Sequence, residues 1–155
     1  MFQKYLLIFL VSMVPVVELR GAIVMAVGMD LDYFTALTVC VIGNMLPVPF
    51  IYLFARQVLQ WGAHKKYIGK IFRSFLQKGE QAGHKLTETA GRGGLFIALM
   101  LFVGIPLPGT GAWTGTLAAS FLNMGMKTTA ASVSLGVVIA GIIMGIASTG
   151  VFSII

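Results

Sequence analysis

Polar positions divide this chain into apolar stretches of two kinds. Two stretches are long, Tyr33–Leu59 and Thr128–Ile155. Four are short and come in pairs, Tyr5–Val17 with Gly21–Met29 and Gly94–Ile105 with Thr114–Leu122. As helices, Tyr5–Val17 and Gly94–Ile105 would reach only about 20 Å and about 18 Å. A bilayer's hydrocarbon core is about 30 Å thick. The long stretches can cross it and the short ones cannot do so alone. Between the two sets lies the one hydrophilic region, Trp61–Arg92.

Each short pair is joined by a break that a helix cannot continue through. The first is Val14-Pro15-Val16-Val17-Glu18-Leu19-Arg20-Gly21-Ala22-Ile23. The second is Gly104-Ile105-Pro106-Leu107-Pro108-Gly109-Thr110-Gly111-Ala112-Trp113. Both carry proline, then Gly-Ala followed by a bulky apolar residue. Broken backbone in lipid exposes unpaired N–H and C=O groups, so it must be buried in protein or line a wet cavity.

The predicted fold is therefore an all-α integral membrane protein. It has two re-entrant broken-helix hairpins, each followed by a transmembrane helix, with opposite orientations of the two halves (an inverted repeat, as in many transporters). The alternative is four kinked transmembrane helices. The chain reads as one membrane domain over 1–155. Its first half is 1–60, a basic amphipathic cytoplasmic linker covers 61–93, and the second half is 94–155. Asp32 is placed to cap the helix that follows it. Pro47 and Pro49 predict a kink in the first long stretch. Gly141-x-x-x-Gly145 permits close helix approach in the second.

Composition supports this class. The chain is 57% hydrophobic and 10% charged, with a mean hydropathy of +0.92, whereas a soluble domain carries about 25% charged residues. The net charge is +6, and seven of the eleven Lys/Arg lie between Lys65 and Arg92. That clustering fits a cytoplasmic membrane face and argues against nucleic acid as partner. Within it, Ile68, Ile71, Phe72, Phe75 and Leu76 form an apolar stripe opposite Lys66, Lys70, Arg73 and Gln77. Trp61, Lys66, Lys70 and Arg73 are the expected contacts with anionic lipid. Gln77–Arg92 reads as a polar connector, and Gly91-Arg92-Gly93-Gly94 as the turn back into the bilayer. Met1–Val17 resembles a signal peptide but lacks an Ala-x-Ala site before Glu18, and reads as retained. Cys40 is the single cysteine and forms no internal disulfide.

The chemistry concentrates at the breaks. Glu18 and Arg20 are charged and sit inside an apolar region, where insertion of each costs about 2.5–3.5 kcal/mol. Glu18 is the candidate proton carrier or cation site. Arg20 is a candidate for an anionic headgroup. A bland alternative is a Glu18–Arg20 or Glu18–Arg56 pair that pins the first break. Pro106, Pro108, Gly109, Thr110 and Thr114 supply bent backbone and hydroxyls at the second break. A half-helix starting near Thr110 would point its positive end inward and favour an anion. Asn44 and Arg56 complete the proposed pathway. His64 and His84 have no partners at ligand spacing, so no metal and no cofactor are expected. No nucleophile set or P-loop is present, so the chain does not read as an enzyme.

The two proline-containing breaks and the Gly43-Asn44-x-x-Pro47-x-Pro49 segment resemble the small multidrug export family of prokaryotic membrane proteins. The likeness runs over nearly the whole chain. The family is similar, more distantly, to the DedA/VTT superfamily, whose members carry facing re-entrant hairpins and are implicated in lipid or proton-coupled transport. The resemblance implies that Glu18 corresponds to that superfamily's first-hairpin acid. Arginines flank the second-hairpin proline there. This chain has none at Ile105–Thr110, which leaves any phosphate recognition to Arg20 or Arg56. The expected protein is a multi-pass transporter of the inner membrane. It moves a small solute or lipid headgroup, coupled to protons through Glu18, with a homodimer as a candidate assembly. The rival reading is a non-transporting scaffold or lipid-scrambling protein held to anionic lipid by its basic helix.

Overall fold

The computed structural model describes residues 1–15, 17–64, 69–107 and 109–152; along 55–64 and 69–92 it gives the backbone and a minority of the side chains. Among the described residues all regular structure is helical. The elements are α1 (Phe2–Met13), α2 (Glu18–Gly28), α3 (Tyr33–Met45), α4 (Val48–Ala63), α5 (Gly69–Gly104), α6 (Ala112–Phe121) and α7 (Met126–Phe152).

Proline and left-handed residues set the boundaries. Val14, the residue before Pro15, is extended (φ −73°, ψ 128°), as the proline ring requires, and α1 stops there. α2 ends on Asp30 at φ 55°. The Asp30 N–H donates to Val27 O and the Leu31 N–H to Ala26 O, both at 3.1 Å, which closes a Schellman motif. α6 ends in the same way on Asn123 (φ 59°), with the Met124 N–H donating to Ala119 O at 3.0 Å. Asp32 caps α3 by accepting from the Thr35 N–H (2.9 Å) and hydroxyl (2.6 Å). The same two bonds hold its carboxyl below the usual carboxylate range. At the expected kink the helix is interrupted at Leu46 and Pro47, between α3 and α4, while both residues keep right-handed helical φ/ψ.

One expectation fails. Gln77–Arg92 is not a connector: α5 runs as helix through it and breaks only at Gly91 (φ 65°, ψ 177°). The stretch holds no proline, and half of it is Gln, Lys, Glu and Ala, which propagate a helix well and carry it past Gly79 and Gly83. Gly91 supplies the one left-handed residue at which the chain can change direction.

Two helical segments are long and apolar enough to cross a membrane, Tyr33–Phe54 and Met126–Val151. The first crosses the α3–α4 break. Phe2–Met13 and Gly93–Gly104 are apolar but shorter. α7 is unbroken, about 40 Å long, and the other elements are arranged around it. It packs against α2, α3, α5 and α6. α1 packs on α2 and α3, and α4 on α5 and α6.

The register against α7 places the breaks. Gly145 lies under the Tyr33 ring, and Gly141 under Leu37 and Leu19. The Tyr33 hydroxyl donates to Gly141 O at 3.1 Å. The small-xxx-small stripe thus seats α3 within the chain. Gly104 at the end of α5 lies against Ile139 (a Cβ there would be 3.2 Å from Ile139 Cγ2). The first turn of α2 and the last of α5 therefore both sit level with the middle of α7. Lys4 Nζ donates to Met29 O at 3.0 Å, so α1 and α2 fold back on each other.

The core is small and tight: Ile8, Leu19, Ile23, Val103, Val133 and Val137 are buried among Ala22, Ala36, Cys40, Ala112 and Ala119. The outside carries Leu6, Leu10, Phe34, Ile42, Phe50, Leu53, Leu101, Ile142 and Ile146, all exposed. A water-soluble chain rarely shows so much apolar surface. Lipid is the solvent that matches it.

Candidate functional site

The two breaks meet. Glu18 opens α2 and is 6% exposed. Its backbone is left-handed (φ 51°), a conformation that costs a non-glycine residue of order 1–3 kcal/mol unless its surroundings hold it. They do so through the carboxylate. Oε2 accepts from the Ala112 N–H at 3.1 Å, and Oε1 from the Trp113 N–H at 3.2 Å. These are first-turn N–H groups of α6, which have no partner within their own helix. A carboxylate there also meets the positive end of the helix dipole. The expected anion site at the second break is thus filled by the chain's own Glu18.

Arg20, one residue beyond Leu19, serves the opposite pole. Nη2 donates to Val103 O at 3.0 Å, to Ile105 O at 3.3 Å and to Thr110 Oγ1 at 2.9 Å. Nη1 donates to Leu107 O at 2.8 Å. The last carbonyls of α5 and of the loop beyond it are therefore gathered by one guanidinium, whose planar fork can reach several acceptors at once. Thr110 adds its hydroxyl, within 2.9 Å of both Ile105 O and Leu107 O. A third tie runs the other way. Trp113 Nε1 donates to Met13 O, in the last turn of α1, at 3.2 Å.

Gly111 makes the junction sterically feasible. Its φ of 153° with ψ −174° is glycine territory, and a Cβ there would collide with the Glu18 carboxylate. The residue before α6 must lack a side chain for Glu18 to approach.

A protein-family model described as "Putative small multi-drug export protein" matches residues 18–143. The chain belongs to this small multi-drug export family. The match begins at Glu18 itself and runs to the Gly141 region of α7. It contains both partners of the junction and leaves α1 ahead of it. Neither the curated proteins nor the solved structures returned a match.

In this export-family chain the expected pathway residues separate into groups. Arg20 and Thr110 are joined directly, and Glu18 is tied to the same break through Ala112 and Trp113. Gly109 (φ 82°) shapes the exposed loop beside them. Pro106 is half-buried in that loop, and Thr114 is exposed, 3.4 Å from Gly111 O. Asn44 is 2% exposed, and its Oδ1 has no partner among the described residues. Pro108, Lys66 and the Arg56 side chain lie outside the described residues. So do Ile68 and the side chains of the expected Ile71–Leu76 stripe. Trp61, Lys70 and Arg73 are exposed on α4 and α5, with Arg73 Nε on Gly69 O at 3.2 Å.

The Glu18–Arg20 pair considered from the sequence keeps an electrostatic attraction, and each group hydrogen-bonds elsewhere. The hydrogen-bond partners of both groups are on the other break. Charge is answered by backbone dipoles of opposite sign, α6 amides for Glu18 and α5 carbonyls for Arg20. Thr116, a hydroxyl expected at the second break, is fully buried, while sequence reasoning missed the Trp113–Met13 tie and the buried hydroxyls of Ser12 and Ser120. The Gly-Ala-Trp triplet was the available signal for the first. The four-residue spacing Ala112, Thr116, Ser120 was the signal for Ser120.

Proposed function

We propose that this membrane protein is a transporter of a small solute or lipid headgroup, coupled to protons through Glu18. The coupling device is the latch between the Glu18 carboxylate and the α6 amides. Ionised, Glu18 holds the second break closed by charge-assisted bonds, roughly twice as strong as neutral ones. Protonated, it keeps an acceptor lone pair but loses the charge that the helix end favours. The latch weakens, and α6 becomes free to shift against α7. The α5–α6 loop, with Arg20 and Thr110, then presents donors and hydroxyls to the substrate.

The topology we propose is the pair of facing re-entrant hairpins, α1–α2 and the end of α5 with α6, related as an inverted repeat in a prokaryotic inner membrane. Three things support it: the matched Schellman ends on Asp30 and Asn123, the common level of both breaks on α7, and the export family itself. Lys127 would face the cytoplasm, and Lys4 and Asp30 the outside.

The observation that carries the reading is the pair of 3.1 and 3.2 Å bonds from α6 to Glu18. The test is efflux of lipophilic cationic dyes, and flip of a fluorescent anionic lipid, from reconstituted vesicles across a pH series. Glu18→Gln should abolish the pH dependence of whichever probe moves. Unchanged rates and unchanged pH dependence in Glu18→Gln and Glu18→Ala would sink the proton role. The same bonds favour one rival, a locked scaffold in which Glu18 and Arg20 only hold the breaks together. The rival predicts that neutralising Lys66, Lys70 and Arg73 destroys function while Glu18 substitutions leave it intact.

A further inference from the structure

The outward sides of the two breaks form one patch. Val14, Val17, Ile105 and Leu107 are between 38% and 55% exposed, and Pro15 and Gly109 are exposed with them. Two ties gather these residues. Arg20, three residues after Val17, holds Ile105 O and Leu107 O. Trp113 reaches Met13 O, next to Val14. The patch continues onto both helices that end at it: Leu10 stands a turn before Val14 and Leu101 a turn before Ile105, and both are exposed.

The same patch carries open backbone. Pro15 O, the Val17 N–H and both backbone groups of Gly109 have no hydrogen-bond partner among the described residues. Nothing lies within 4 Å of where a Cβ on Gly109 would stand. Beside it, the exposed Thr114 hydroxyl has only a long bond, 3.4 Å, to Gly111 O in its own turn.

These features together select what covers the patch. Both breaks lie level with the middle of α7, so in a re-entrant topology the open groups sit at hydrocarbon depth. Lipid offers them no partner, and irregular backbone is not left facing lipid. Water would answer the backbone, but the exposed side chains around it are aliphatic apart from Thr114, which water does not favour. A protein surface supplies apolar contact and hydrogen-bonding groups together. The patch is itself such a surface. It presents N–H groups at Val17 and Gly109 and carbonyls at Pro15 and Gly109, so it can pair with its own image across a two-fold axis, as an isologous interface requires.

Resting on the re-entrant reading of the two breaks, we propose that this patch is closed by a second copy of the chain, related by a two-fold axis along the membrane normal. One chain alone leaves the junction incomplete. In the pair, the open backbone of each copy's breaks is answered by the other's, and Thr114 adds a hydroxyl from each side. The Glu18 latch stays within its own chain, while the α5–α6 loop with Arg20 and Thr110 lies between the copies.

The test is crosslinking of the full chain in liposomes. In a Cys40→Ala background, Val17→Cys and Leu107→Cys are oxidised singly and mixed, at rising lipid-to-protein ratio. The controls are Leu135→Cys on α7 and Phe50→Cys on α4, exposed on other faces. A disulfide needs Cβ atoms about 4 Å apart, so at least one break combination should give a dimer yield at least about tenfold above both controls. That yield should persist as lipid dilutes the protein. A dimer band that disappears on dilution, or one formed from Leu135→Cys or Phe50→Cys instead, would overturn the proposal. Where no dimer forms, a charged thiol reagent identifies the cover. Reaction as fast as at Lys127→Cys means water and no reaction means lipid, and either result overturns the second copy. Labelling of Lys4→Cys, Asp30→Cys and Lys127→Cys from each side of oriented vesicles separates this failure from failure of the topology. Lys4 and Asp30 on one face and Lys127 on the other, without a dimer, removes the second copy alone. Lys4 and Asp30 on opposite faces would overturn the re-entrant reading itself.

Discussion

The Glu18 carboxylate and the Trp113 backbone N–H lie 3.2 Å apart across 95 residues of sequence. That contact explains why the two breaks belong together. The second break exposes free amides at the start of α6 and free carbonyls at the end of α5, and such groups are intolerable in an apolar interior. The first break brings an acid and a base two residues apart, each answering one pole. The charges that make the first break costly are the groups that make the second one stable.

Removing either charge should therefore unfold the junction and not merely neutralise it. Glu18→Ala leaves two buried amides without an acceptor, and a loss of about 1–3 kcal/mol is expected. Glu18→Gln, which keeps an acceptor oxygen, should lose less. Arg20→Lys should behave nearly as badly as Arg20→Ala, because a single ammonium cannot span Val103 O, Leu107 O and Thr110 Oγ1 together. Thermal melts in detergent give the ranking, and an Arg20→Lys variant as stable as the parent would contradict this account.

Gly111 is the position where the junction is least forgiving. Gly111→Ala places a methyl group on the Glu18 carboxylate in a backbone conformation that alanine resists. It should sharply reduce the yield of folded protein in size-exclusion profiles. Gly93→Ala is the matched control. Nothing lies within 4 Å of a Cβ there, and alanine in place of a helical glycine is worth up to about 1 kcal/mol. Equal yields from the two variants would remove the steric argument.

Much of this arrangement was legible in the chain because lipid restricts what a backbone can do. Proline at 15 and 106 and the Gly-rich 109–111 segment located both breaks. Asp32 announced the start of α3, and Pro47 its end. The partner of each charge could not be read. Glu18 and Arg20 are two residues apart and invite pairing with each other, while apart from Thr110 Oγ1 their hydrogen-bond partners are backbone atoms, which every residue possesses and no sequence pattern marks. The polar 77–92 stretch misled for a different reason. Hydrophilicity indicates solvent and says little about conformation, and these residue types continue a helix readily until Gly91.

Asp32 offers a pH-dependent test outside the apolar region. Its folded-state pKa is depressed by the Thr35 hydroxyl and N–H, so its contribution is present above the unfolded carboxylate value of about 4. It is lost as pH falls through the lower folded value. Asp32→Asn should therefore lower Tm near neutral pH, and the gap from the parent should close in acid. Thr35→Val should narrow the same gap by removing the shorter of the two bonds. A Tm difference that is constant from neutral to strongly acidic pH would show that the cap owes nothing to ionisation.

The glycine stripe of α7 separates packing within the chain from association between chains. Gly145 lies under the Tyr33 ring and Gly141 under Leu37, so both glycines are occupied by α3. Gly145→Ala must displace the aromatic ring and the hydroxyl that reaches Gly141 O. Overpacking of this kind costs about 1–3 kcal/mol. Tyr33→Leu should relieve the crowding and recover part of the loss. Gly150→Ala, with open space around it, should be neutral. If Gly145→Ala instead leaves Tm untouched and changes only the oligomeric state seen by crosslinking in liposomes, the stripe would be serving a second copy of the chain, and the seat for α3 described above would be wrong.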